Sequence, residues 1–191
     1  MIQTDENILV SKLVNKDNEA FKMLIEQYKD KVFNTALGFV QNTGDAEDIT
    51  QEVFIEIFES IKGFKGNSKL STWIYRITVT KSLDFIRAKK RKKRFGVITS
   101  LFGEKNEIVH DPSDFIHPGI IAENRELSSV LFKALNKLPE NQKIAYTFNK
   151  IENLSYSEIC DVMNISLSSV ESLMHRAKKN LRKILEQYYR N

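Results

Sequence analysis

DAEDITQEVFIEIFESI at residues 45–61, KGFKGNSKLST at 62–72 and WIYRITVTKSLDFIRAKKRKKR at 73–94 form one stretch whose chemical character changes twice. In the first segment Ile49, Val53, Phe54, Ile57, Phe58 and Ile61 recur at helical spacing and mark a face for burial. Asp45, Asp48, Glu52, Glu56 and Glu59 stand at offsets 0, 3, 7, 11 and 14, which stacks five carboxylates along the other side. Like charges so placed weaken an isolated helix. The face is therefore either simply solvated or kept for a basic partner surface, and periodicity alone leaves both open. Asp45 with Asp48 gives the segment a capping-box-like start. Gly63, Gly66, Asn67 and Ser68 then make a loop, and Ser71 or Thr72 is the expected cap of the next helix. That helix opens with Trp73, Tyr75 and Arg76 and ends with seven basic residues in the eight of 87–94. The helix macrodipole explains two or three cations at a C-terminus, and seven suggest a polyanion. Aromatic residues beside a basic glycine loop suit bases that have left a duplex. Trp73 by itself reads more simply as a core residue.

Charge alternates along the whole chain. Residues 1–61 carry 5 basic and 12 acidic side chains, 62–94 carry 12 and 1, 95–126 carry 2 and 6, and 127–191 carry 10 and 6. The overall +4 thus conceals blocks that call for partners of opposite kinds. Ahead of the opening stretch, apolar positions from Leu9 to Leu37 keep helical spacing, interrupted by the polar run at 15–18, so two helices are expected. Residues 95–122 contain two prolines and no sustained period and read as a long, flexible, acidic linker. Beyond it, 123–138 is amphipathic, Pro139 suits a helix start, and Ile144, Ala145 and Phe148 face inward. Ser155 with Glu158 and Ser168 with Glu171 form two capping boxes around a turn at 164–166. Two short capped helices followed by Arg176, Lys178, Lys179, Arg182 and Lys183 read as a helix-turn-helix.

The expected fold is all-α: two small helical domains, 1–94 and 123–191, joined by a linker over 95–122. The single Cys160 excludes an internal disulfide framework and reads as a small core residue in a reducing compartment. No apolar run reaches the length of a membrane span, so a cytoplasmic protein without stable membrane insertion is expected. His110, His117 and His175 are scattered and no phosphate-binding glycine loop precedes a helix, so neither an enzyme nor a metal or cofactor site is expected.

The motifs DAEDITQEVF (45–54), FKG (64–66), STWIYRI (71–77) and LDFIR (83–87) resemble the second conserved region of bacterial extracytoplasmic-function sigma factors. ALNKLP (134–139), LSYSEI (154–159) and HRA (175–177) resemble the fourth region of the same family, and NKDNEAF (15–21) sits where that family begins its first helices. The resemblance implies a subunit that binds core RNA polymerase and directs promoter recognition, promoter melting and transcription initiation. It implies docking on the clamp of the polymerase largest subunit through Asp48, Gln51, Glu52 and Glu56, with the polymerase flap as a further partner region. For the minus-ten element it implies Phe64, Lys65, Asn67, Ser68, Lys69, Trp73, Tyr75, Arg76, Lys81, Arg87, Lys89, Lys90 and Arg91. For the minus-thirty-five element it implies Ser168, Ser169, Glu171, Ser172, His175, Arg176 and Lys179. The linker would thread through the polymerase, and an anti-sigma factor is a candidate partner. Ser168, Glu171 and Leu173 depart from the glycine, lysine and arginine usual there, which changes the expected base and phosphate contacts. The competing reading is a self-sufficient helix-turn-helix regulator with a sensor or dimerisation module in its N-terminal half.

Overall fold

The structure, a computed structural model, describes residues 2–99 and 125–189, and every regular element among them is a helix. Helices α1 (Ile2–Val14), α2 (Asn18–Val40), α3 (Thr43–Ser60) and α4 (Leu70–Thr99), with a short 3-10 turn at Ile61–Gly63, form an N-terminal body. Helices α5 (Arg125–Leu135), α6 (Glu140–Lys150), α7 (Tyr156–Met163) and α8 (Leu167–Tyr189) form a C-terminal body. The expected linker lies outside the described residues except for the last turn of α4.

Local chemistry sets most helix ends. Asp17 caps α2 by accepting from the Ala20 amide at 3.0 Å, which ends the polar break at 15–18 where the sequence placed it. Helix α3 starts one turn earlier than the expected box, because Asn42 accepts from the Asp45 amide at 2.9 Å and Asp45 becomes a first-turn residue. Neither Ser71 nor Thr72 caps α4. It begins at Leu70, whose amide donates to the Glu6 carboxylate of α1 at 2.8 Å, a contact that no local pattern could reveal. Ser155 and Glu158 do form the expected capping box of α7. Helix α8 instead starts at Leu167, with Ser166 accepting from the Ser169 amide at 3.3 Å, so Ser168 and Glu171 are left to the exposed surface.

Leu24, Ala36, Ile49, Val53, Ile57 and Leu70 are sealed in the core that α2, α3 and α4 share. Burial of each large side chain contributes roughly 1.5–3 kcal/mol. Helix α4 is apolar on two sides rather than one. Trp73, Ile74, Ile77 and Phe85 pack on that first core, whereas Tyr75, Val79, Leu83 and Ile86 pack against a second cluster. The second cluster holds Ile144 and Phe148 of α6, Ile159 and Val162 of α7, and Val170 and Met174 of α8. The two bodies therefore share a packed seam along α4.

Candidate nucleic-acid interface

The carboxylates of α3 do not all face the same surroundings. Glu56 is half-buried and pairs with Lys81 of α4 at 3.1 Å, and Asp45 pairs with Lys89 at 2.7 Å. Asp48, Glu52 and Glu59 are exposed and have no ion-pair partner among the described residues. Gln51 is exposed beside them, as is Ile55, which leaves 57% of its surface open. Asp48, Gln51, Glu52, Ile55 and Glu59 follow helical spacing and so form one uncovered stripe. Of the expected docking residues the structure thus groups Asp48, Gln51 and Glu52, and turns Glu56 toward α4. Sequence reasoning missed Ile55, which the periodicity assigned to neither the apolar face nor the carboxylate row.

The loop before α4 rests on an aromatic pair. Phe64 and Trp73 are half-buried, with ring centroids 5.4 Å apart, so Trp73 supports the loop from the core side. Lys65, Asn67 and Lys69 project from the loop into solvent, and Ser68 is half-buried. Gly66 has φ +69, a left-handed conformation that only glycine adopts without strain.

Along α4 the expected strand-binding residues divide. Lys90 and Arg91 are exposed and have no ion-pair partner among the described residues. Arg87 pairs with Asp84 at 3.1 Å and with Glu140 of α6 at 2.7 Å. Tyr75 packs edge-on to Phe148 at 5.5 Å, and its hydroxyl pKa is pushed up by burial, then by the Glu152 and Glu158 carboxylates. The Arg76 guanidinium donates through Nε to the Val162 carbonyl at 3.0 Å and through Nη2 to the Asp161 carbonyl. Two more titratable groups lie in the seam. Burial, with Lys90 adding to it, pulls Lys143 down to about 8. Burial pushes Glu152 up to about 7, while the nearby Thr35 hydroxyl, outside hydrogen-bond geometry, and Lys31 oppose the rise.

In the C-terminal body α7 and α8 meet at a turn through Asn164, whose left-handed φ of 53 ends α7. Val170, Met174, Ala177 and Leu181 bury one side of α8. Its other side presents Ser168, Glu171, Ser172, His175, Arg176 and Lys179 to solvent, with Ser169 half-buried. This is the helix-turn-helix geometry expected from the two capped segments. Ser168 and Ser169 hydrogen-bond to Ser166 at 3.0 and 2.9 Å, and Arg176 folds back to the Ser172 carbonyl at 3.2 Å.

The model for sigma-70 region 2 matches residues 24–92, and that for sigma-70 region 4 matches 129–181. Together they take in the α2–α4 core and the helix-turn-helix. Both describe parts of one class of protein, the sigma factors that direct transcription initiation, and a free-standing regulator is not favoured. The chain belongs to the extracytoplasmic-function (ECF) family of that class. It is 28% identical over 177 residues to the ECF RNA polymerase sigma-E factor of Escherichia coli K12, covering 93% of this chain and 92% of that one. It is 28% identical over 190 residues to the RNA polymerase sigma-H factor of Pseudomonas aeruginosa, covering 100% and 98%. In fold it is similar to CnrH in complex with the cytosolic domain of CnrY, with a TM-score of 0.67, 18% identity and coverage of 95% and 97%. It is also similar to the sigma factor RpoE in complex with the anti-sigma factor NepR from Bartonella quintana, with a TM-score of 0.60, 20% identity and coverage of 87% and 96%.

Proposed function

We propose that this sigma factor divides its work as its charge blocks suggest, with 1–94 docking on polymerase and reading the minus-ten element, and 123–191 reading the minus-thirty-five element. One observation carries the docking assignment. Helix α4 neutralises Asp45 and Glu56, whereas Asp48 and Glu52 stay exposed around Gln51 and Ile55. Unpaired carboxylates that bracket an exposed apolar side chain suit a basic protein surface better than a solvated face. The loop at 64–69 would take a base of the melted strand against Phe64 and Trp73, with Lys65, Lys69, Lys90 and Arg91 on phosphates. In the major groove Ser168 and Ser172 would reach base edges, with Arg176 and Lys179 on the backbone. Glu171 would accept from a cytosine amine, in place of the lysine usual there. An anti-sigma factor is part of this reading, because the sigma-factor neighbour from Bartonella quintana is held by one.

The test of docking is charge reversal. The chain carrying Asp48→Lys and Glu52→Lys should keep its helical content and thermal transition and lose capture of core RNA polymerase. Undiminished capture would refute the assignment. Run-off transcription with core polymerase over a genomic template pool would then map the promoters that the chain serves.

A further inference from the structure

Lys143 of α6 is a buried cation held only by neutral oxygens. It is 6% exposed, and its ammonium donates to the Phe39 carbonyl at 2.9 Å and to Asn136 Oδ1 at 2.5 Å. Asn136 is fixed in that orientation because its Nδ2 donates to Gln41 Oε1 at 2.8 Å. An ammonium has three N–H donors. Among the described residues no carboxylate pairs with Lys143 and nothing accepts its third N–H. A buried charge is costly unless it is paired, and burial together with the Lys90 charge disfavours the ammonium here. Beside it lies a cavity of about 410 Å³, a volume typical of small-molecule sites. Phe39, Leu83, Phe85, Ile86 and Leu138 give the cavity an apolar wall, and Lys90 lines it together with Lys143. The two carboxylates that also line it are already engaged, Asp45 by Lys89 at 2.7 Å and Glu140 by Arg87 at 2.7 Å. Two like charges therefore stand unmatched over an apolar, partly aromatic wall.

We propose that this cavity is a binding site for a small aromatic carboxylate, whose carboxylate lies between Lys90 and Lys143 and whose ring lies on Leu83, Phe85 and Ile86. The carboxylate accepts the third N–H of Lys143 in a charge-assisted hydrogen bond and offsets the repulsion between the two ammonium groups. The ring removes apolar surface from water and meets Phe85 as an aromatic partner. A bare inorganic anion would match the cations and leave the wall wet, and a neutral ring would do the reverse. Helices α2 and α4 supply one part of the wall and Leu138 with Lys143 the other, so the ligand binds the folded chain and not the unfolded one, and stabilises it by mass action. Of the residues that carry the site, only Lys90 also serves the proposed phosphate contacts.

The test is calorimetric titration of the full chain with cinnamate as the probe, beside cinnamamide, which keeps the ring and lacks the charge, and acetate, which keeps the charge and lacks the ring. Cinnamate should bind one equivalent per chain and raise the Tm, and both controls should bind about tenfold more weakly or worse, the equivalent of losing one good contact. Lys143→Met keeps the apolar stem and removes the cation, and should weaken cinnamate about tenfold. Lys90→Gln changes an exposed side chain, so it should keep the helical content by circular dichroism and still weaken cinnamate several-fold, a measurement that stands even where Lys143→Met fails to fold. No binding of cinnamate, equal binding of cinnamamide or acetate, or undiminished binding by Lys90→Gln would each overturn the proposal. Neither polymerase nor DNA takes part in these titrations, so their outcome is separate from that of the docking and transcription tests.

Discussion

Replacing Glu152 by glutamine should make the protein more stable at pH 8 and leave it nearly unchanged at pH 5. The Glu152 carboxyl lies in the seam facing Thr35 and Lys31 of α2 and raising the pKa of Tyr75 on α4. Its folded pKa is raised, so the folded chain holds the proton more tightly than the unfolded one. The stability from this group is fully present below the unfolded value, falls as pH rises, and is lost once pH passes the folded value. The window runs from 4.5 to about 7, and each unit corresponds to about 1.4 kcal/mol, which bounds the effect at about 3.4 kcal/mol. Because the residue is only partly buried, about 2 kcal/mol is expected, or about 4–8 °C in Tm for a chain of this length. Scanning calorimetry of the original chain and Glu152→Gln at both pH values measures it, and the difference between the two chains cancels their common titrations. Lys143, lowered to about 8, stabilises as pH rises above that value and so acts above this window. Parallel pH–Tm curves for the two chains would refute the assignment.

Two further expectations concern DNA binding and helix capping. Replacing Lys90 and Arg91 by glutamine should flatten the dependence of log K on log salt by about 1.5, since each phosphate contact contributes about 0.7–0.9; binding measured from low to high salt checks this, and an unchanged slope would take both residues off the backbone. Ser166→Ala should destabilise the C-terminal body by about 1 kcal/mol because Ser166 caps α8. Ser168→Ala should be neutral for stability and alter promoter binding, and paired denaturation and DNA-binding measurements separate the two serines.

The helices and the break between α1 and α2 were legible in the sequence, because apolar residues at helical spacing interrupted by 15–18 allow few other readings. The α7 capping box was equally legible, since Ser155 and Glu158 satisfy each other locally. Starts that depend on distant or competing groups were not. Glu6 supplies the partner for Leu70, and Ser166 precedes the Ser168 that local pattern favoured. The family motifs placed the candidate interfaces along the chain but could not divide the carboxylates of α3, because pairing of Asp45 and Glu56 depends on how α4 lies across them. The second apolar stripe of α4 was hidden for a related reason. Tyr75, Val79, Leu83 and Ile86 are interleaved with core positions, and an eye that expects one buried face assigns every apolar residue to it.

The two-sided character of α4 ties together properties that a promoter-reading protein would otherwise adjust separately. Tyr75 and Arg76 both make contacts across the seam, with the Phe148 ring and the Val162 carbonyl, so a substitution at either that changes the proposed strand contact also changes how the two bodies pack. Under the proposed reading, promoter choice can change through the loop at 64–69 and the outer side of α8 without disturbing the packing along α4.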